Sequence, residues 1–165
     1  MNDKDPLATS GLPSLDRLKK IEDNTKPGEV VSQPSGGRFL ILVVDDSADN
    51  VAVMSLHLQD QGYRVVTASN GEEAISVAAQ TRPNLILMDI SMPGMDGLAA
   101  TRRIRDTDEL SDVPVIAVTA FGTEGFQRAA YDVGVSGYIT KPVDFDRMHQ
   151  LVARLLTRPE SGNLT

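Results

Sequence analysis

Three carboxylates, a hydroxyl and an ammonium occupy recurrent places in this 165-residue sequence. Asp45 and Asp46 follow the apolar stretch 39–44, and Asp89 follows the stretch 84–88. Thr119 comes after the stretch 113–118, and Lys141 is reached through Thr140 after the stretch 137–139. Carboxylates gathered at one point repel, and without a counter-charge at least one is driven to take up a proton. A hard divalent cation removes that difficulty. Mg²⁺ (or Mn²⁺) suits the donors, because it accepts oxygen ligands, keeps several waters and needs only one or two carboxylates. Asp46 and Asp89 are the candidate ligands, Asp45 is a candidate to hold a metal-bound water, and the backbone carbonyl of Ser91 is a candidate third protein ligand. Lys141 adds a second positive charge, and the Thr119 hydroxyl can donate to an anionic oxygen. A carboxylate can attack phosphorus to give an aspartyl phosphate. Asp89, flanked by the others, is the candidate nucleophile, with metal and lysine neutralising charge on the transferred group.

The elements that must position these groups are legible in the hydrophobic pattern. The stretches 39–44, 63–68, 84–88, 113–118 and 137–139 are apolar with little alternation, which predicts parallel strands covered on both faces. Segments of helical periodicity, 48–61, 71–80, 97–105, 124–133 and 145–156, lie between and after them. Asn70 is placed to cap the second helix with Glu73 returning the bond, Asp96 to cap the third, and Gly62 and Gly134 to close the first and fourth. The expected fold is α/β, a doubly wound five-stranded parallel sheet of (βα)5 type. Such sheets bind ligands beyond the carboxyl ends of their strands, where all five chemical groups fall.

Composition narrows the partners. The chain carries 23 acidic and 16 basic residues, a formal charge of −7, which argues against direct nucleic-acid binding. There are no cysteines, so thiolate metal sites and cysteine nucleophiles are excluded. The polar, acidic N-terminus is unlike an export signal. The longest apolar run has six residues, far from the roughly 20 that span a bilayer. The expectation is a soluble cytoplasmic protein with no membrane contact. Residues 1–37, broken by Pro6, Pro13, Pro27 and Pro34, are expected to form a disordered arm, with one short helix carrying Leu15, Leu18 and Ile21 behind a Ser14 cap. Residues 38–157 form the expected domain and 158–165 a polar tail. The arm holds six acids and five bases against sixteen and ten in the domain, so nearly all the net charge belongs to the domain.

Four sequence runs carry a resemblance. They are Ile41-Leu42-Val43-Val44-Asp45-Asp46, the run Leu85-Ile86-Leu87-Met88-Asp89-Ile90-Ser91-Met92-Pro93-Gly94-Met95-Asp96-Gly97, then Val118-Thr119-Ala120, and Tyr138-Ile139-Thr140-Lys141-Pro142. Together they resemble the receiver domain of response regulators in two-component phosphorelays, of the stand-alone, chemotaxis-regulator-like kind, over roughly residues 38–156. The resemblance implies the flavodoxin-like strand order 2-1-3-4-5. It implies that Asp89 is the phosphoacceptor, fed by a phosphohistidine on a sensor histidine kinase or histidine phosphotransfer protein, and that Asp45, Asp46 and Asp89 bind Mg²⁺. Lys141 would contact the phosphoryl group. Thr119 would swing toward it and Tyr138 would turn inward, remodelling the face around helix 4 and strand 5 for a downstream protein. The Lys141-Pro142 bond would be cis, and Ser91 and Phe121 would sit near the phosphoryl group at variable positions. A phosphoacceptor of this kind performs only self-directed phosphotransfer and autodephosphorylation, and is not otherwise an enzyme.

Plainer readings stand beside these. Asp45 and Asp46 alone would be a helix-capping pair, and Tyr138 would be a packing residue on an edge strand. Met88, Met92 and Met95 read as packing. Arg102, Arg103 and Arg105 read as a solvated basic face, His57 as a half-buried packing residue and His149 as a near-surface one. Two other functions use related chemistry: an Mg²⁺-dependent phosphatase with an aspartyl-phosphate intermediate, and a phosphorylation-independent scaffold. Phosphatases of the haloacid-dehalogenase-like kind place an Asp-x-Asp pair after the first strand, whereas Asp45 and Asp46 are adjacent and position 48 holds Ala48. A flavin carrier would need a hydroxyl-rich phosphate loop where the acids lie.

Overall fold

In the computed structural model, residues 39–157 are described. Five strands alternate with five helices: β1 (Leu40–Val44), α1 (Ala48–Asp60), β2 (Arg64–Ala68), α2 (Gly71–Thr81), β3 (Leu85–Asp89), α3 (Gly97–Arg105), β4 (Val115–Thr119), α4 (Glu124–Asp132), β5 (Gly137–Thr140) and α5 (Phe145–Leu156). A 3-10 turn, Asp108–Leu110, joins α3 to β4. The sheet is wholly parallel in the order β2-β1-β3-β4-β5. The fold expectation therefore holds. The expected arm, its Leu15, Leu18 and Ile21 helix, and the tail after Thr157 lie outside the described residues.

The unbroken hydrophobicity of the strands has its cause in two cores. Leu42, Val44, Ile86, Met88, Val115 and Ala117 point to one face, packed by residues of α2, α3 and α4 such as Ala74, Ala78, Ile104 and Ala130. Their neighbours Ile41, Val43, Leu85, Leu87, Ile116 and Val118 point to the other, against Met54 and Leu58 of α1 and Met148 and Val152 of α5. Every residue of β3 and β4 is buried, and each large aliphatic side chain so enclosed contributes about 1.5–3 kcal/mol. Met88 and Met92 are buried in the first core and Met95 packs against it.

Helix ends follow their caps. Ser47, Asn70, Asp96, Thr123 and Asp144 each accept a hydrogen bond from the backbone N–H three residues on. Glu73 returns its bond one residue earlier than expected, to the N–H and hydroxyl of Ser69 at 2.9 and 2.7 Å. Ser69 offers two donors where the Asn70 backbone offers one. Gly62 and Gly134, at φ 91 and 99, turn the chain after α1 and α4.

Two residues depart from their expected settings. Arg105 does not share the solvated face of Arg102 and Arg103. Its guanidinium is half-buried, donating twice to the Gly134 carbonyl at 3.0 and 2.8 Å and to the Val113 carbonyl at 2.7 Å. His149 is half-buried, with its Nε2 enclosed, because it lies one turn beyond Phe145, whose ring stacks on His57 at 3.7 Å.

Candidate functional site

The strand ends are the frame of the site. Asp89 and Thr119 are the last residues of β3 and β4, each one residue further into the ladder than the apolar pattern suggests. The reason is backbone pairing: the Ile90 N–H donates to the Val118 carbonyl at 3.1 Å, and the Lys141 N–H to the Thr119 carbonyl at 2.8 Å. The candidate nucleophile, hydroxyl and ammonium are thus tied to one another through main chain before any side-chain contact.

The side chains converge. One carboxylate oxygen each from Asp45, Asp46 and Asp89 lies within 4.8 Å of the others. Asp45 and Asp89 are buried and Asp46 is exposed. Asp45 Oδ1 accepts from the Ser47 N–H at 2.8 Å, and its Oδ2 accepts from Asn50 Nδ2 at 3.2 Å and from Lys141 Nζ at 3.0 Å. Lys141 Nζ also lies 3.3 Å from Asp89 Oδ2, and the Ser91 N–H donates to Asp89 Oδ1 at 3.1 Å. The Lys141-Pro142 peptide bond is cis, as the resemblance implies.

Electrostatics mark Asp89 as the strained member. Burial first, and then the charge of Asp45, raise its pKa above the ordinary carboxylate value, outweighing the opposite pull of Lys141 and of the Ser91 N–H. For Lys141, burial pulls the pKa down, but the hydrogen bond to Asp45 and the charges of Asp89 and Asp45 together hold it above the usual lysine value. Two unit charges 4.8 Å apart repel by about 3–4 kcal/mol at an effective dielectric constant of about 20. One ammonium cannot balance three carboxylates. The donor set, all hard oxygens with one exposed carboxylate at the rim, fits a divalent cation.

Thr119 and Tyr138 lie on the flank toward β5. Thr119 is fully buried and its Oγ1 accepts from the Phe121 N–H at 3.1 Å. Tyr138 is 5% exposed, packed into the core, with its hydroxyl donating to the Phe121 carbonyl. The inward tyrosine position that the resemblance associates with phosphorylation is therefore the one present here. Burial raises the Tyr138 pKa, with a smaller opposing contribution from the Thr119 hydroxyl.

Two contributors escaped the sequence reading. Asn50, in the first turn of α1, reaches back five residues to Asp45. Gly97 opens α3 against the back of Asp89, and a Cβ there would stand 2.8 Å from Ile90 Cα and 2.9 Å from the Asp89 carbonyl carbon. Its place just after the Asp96 cap, at the end of the longest run that carries the resemblance, is the sequence signal it gives.

A doubly wound sheet with an acidic cluster at β1 and β3, a hydroxyl at β4 and a lysine after β5 defines a receiver-type site. The chain belongs to the response regulator receiver domain family, which it matches over residues 41–153. It is 36% identical over 116 residues to the polar-differentiation response regulator DivK of Brucella anthropi, covering 70% of this chain and 94% of that protein. Among solved structures, the chemotaxis protein CheY4 of Vibrio cholerae superposes with a TM-score of 0.69 at 30% identity, covering 72% of this chain and 98% of the other. The receiver domain of a sensor histidine kinase from Pseudomonas aeruginosa, which holds a magnesium ion coordinated in its active-site cleft, superposes with a TM-score of 0.67 at 33% identity over 72% of this chain and 97% of the other. Domains of this family serve as phosphorylation-dependent switches in response-regulator signalling. No helix among the described residues is long and apolar enough to cross a membrane.

Proposed function

We propose that this chain is a signalling switch phosphorylated on Asp89 and read out by protein contact. The carrying observation is the Lys141 ammonium, 3.0 Å from Asp45 and 3.3 Å from Asp89, beside three carboxylates gathered within 4.8 Å. The donor is a phosphohistidine on a histidine kinase or histidine phosphotransfer protein. An Asp89 carboxylate oxygen attacks phosphorus, the O–P bond forms, the P–N bond breaks, and the imidazole leaves with the electron pair and takes a proton from solvent.

Asp45, Asp46, Asp89 and the Ser91 carbonyl would hold Mg²⁺, which supplies positive charge against the phosphoryl oxygens when bound. Lys141 exchanges its carboxylate contact for a phosphoryl oxygen. The Thr119 hydroxyl turns from the Phe121 N–H to donate to the same group, and the face around α4 and β5 is rebuilt for a downstream protein. A cleft of about 180 Å³ walled by Asn50, Val53, Pro142 and Phe145 opens beside Lys141 and supports approach of a protein donor from that side. The charge of −7 supports a protein rather than nucleic acid as the readout.

The test is intact-mass measurement after incubation with a small acyl phosphate and Mg²⁺. One phosphate is expected on the wild-type chain and none on Asp89→Asn. No gain on the wild type, or gain that survives the substitution, overturns the assignment. Residues 1–37 lie outside the family match and are expected to be dispensable for this reaction, which the same measurement on a chain starting at residue 38 decides.

A further inference from the structure

Phe121 makes three contacts that no other residue near the site combines. Its N–H donates to the Thr119 hydroxyl at 3.1 Å, its carbonyl accepts from the Tyr138 hydroxyl, and its ring stacks on Phe126 with centroids 5.0 Å apart and planes 17° from parallel. Phe126 belongs to the first turn of α4, and its own N–H donates to Thr123, the cap of that helix. Both rings are unusually open for phenylalanine, at 48% and 39% exposure. Burial is therefore a poor account of why two aromatic rings meet here, and the contact between them is the feature to explain.

We propose that Phe121 is the positioning residue that couples occupancy of the Asp89 site to helix α4, acting through its stack on Phe126. The inference rests on phosphorylation of Asp89. A hydroxyl that turns to an anionic oxygen withdraws the acceptor from the Phe121 N–H, and Phe121 is the residue that also holds the Tyr138 hydroxyl. Since Tyr138 already lies inward, its turning cannot by itself carry the change. The Phe121 backbone moves instead, the ring moves with it, and the stacked partner passes the displacement to the first turn of α4. Thr119 and Tyr138 thus act on one shared residue rather than on each other alone.

The experiment is amide hydrogen exchange of residues 122–133 in the full chain, with and without acyl phosphate and Mg²⁺, normalised to the phosphorylated fraction by intact mass. A stacked aromatic contact shifts an equilibrium by about two- to tenfold, so wild-type exchange in α4 is expected to change by about that factor on phosphorylation. In Phe121→Ala and in Phe126→Ala the change is expected to vanish. Phe121→Tyr, which keeps the stack, restores it, and Phe121→Leu, which keeps only apolar bulk, does not. An alanine variant that responds like wild type, or restoration by leucine as complete as by tyrosine, overturns the inference. So does a phosphorylated wild type with unchanged α4 exchange. A wild-type chain that takes no phosphate removes the underlying reading, and both then fall together.

Discussion

Lys141 is bound to Asp45 at least as closely as to Asp89, with its ammonium 3.0 Å from the first and 3.3 Å from the second. The Asp45 side chain is fully enclosed while that of Lys141 is 25% exposed, so the lysine is the counter-charge that lets Asp45 stay buried. Lys141 thus has a structural role beside the one proposed for it in phosphoryl transfer.

Lys141→Met is therefore expected to destabilise the metal-free protein at neutral pH. Breaking a buried pair costs about 3–5 kcal/mol, and partial solvation of the lysine reduces that to about 1–3 kcal/mol here. Urea unfolding in EDTA checks this, and added Mg²⁺ is expected to recover part of the loss. Unchanged stability in EDTA would show that Asp45 needs no lysine.

Asp89→Asn should do the opposite. The folded chain holds the Asp89 proton more firmly than the unfolded chain, whose carboxyl titrates near 3.9. Between that value and the raised folded one, folding takes up a proton, so stability falls as pH rises through the window and the deficit is complete above the folded value. Removing the charge is expected to raise stability at pH 7 in EDTA, and the gain shrinks as the pH is lowered toward the unfolded value. A variant less stable than wild type at neutral pH contradicts this electrostatic account.

Asp46 separates metal binding from folding. It is exposed and no hydrogen bond involves its side chain in the described residues, so Asp46→Ala should alter metal-free stability by less than about 0.5 kcal/mol. The wild type gains about 2.7 kcal/mol when Mg²⁺ stands at about 100 times its dissociation constant. Asp46→Ala is expected to lose most of that gain in thermal melts, and a full gain in the variant would remove Asp46 from the ligand set.

Gly97 offers a steric test. Gly97→Ala drives a methyl into the backbone of Asp89 and Ile90, and overpacking of this kind costs about 1–3 kcal/mol. It should also slow phosphorylation by displacing the nucleophile. Gly125→Ala is the control: a Cβ there meets nothing within 4 Å, and alanine in a helix is worth about 0.5–1 kcal/mol over glycine. Chemical denaturation should give the two variants opposite signs.

The strands, the helices and the five chemical groups are legible because each depends on local pattern. Val113 to Val118 needs only its own side chains to read as a strand, and Thr119 stands out as the first hydroxyl past its end. The features that are not legible depend on pairing between distant segments. Arg105 sits close to two exposed arginines in sequence, and nothing local says that the carbonyls of Val113 and Gly134 will surround it. His149 is enclosed because α5 lies against α1, a fact of tertiary packing. Asn50 is hidden for the same reason, and of Phe121 the resemblance implies only a place near the phosphoryl group: its bonds to Thr119 and Tyr138 and its stack on Phe126 depend on which atoms it reaches.

Gly97 closes the space behind Asp89. With α3 pressed against the main chain of Asp89, that side of the aspartate is a fixed wall, and the Gly97 N–H is bonded to the Ile90 carbonyl at 3.1 Å. The opposite flank is held by hydroxyls, which can exchange partners at little cost. Under the proposed phosphorylation of Asp89, displacement is therefore expected toward α4 rather than toward α3.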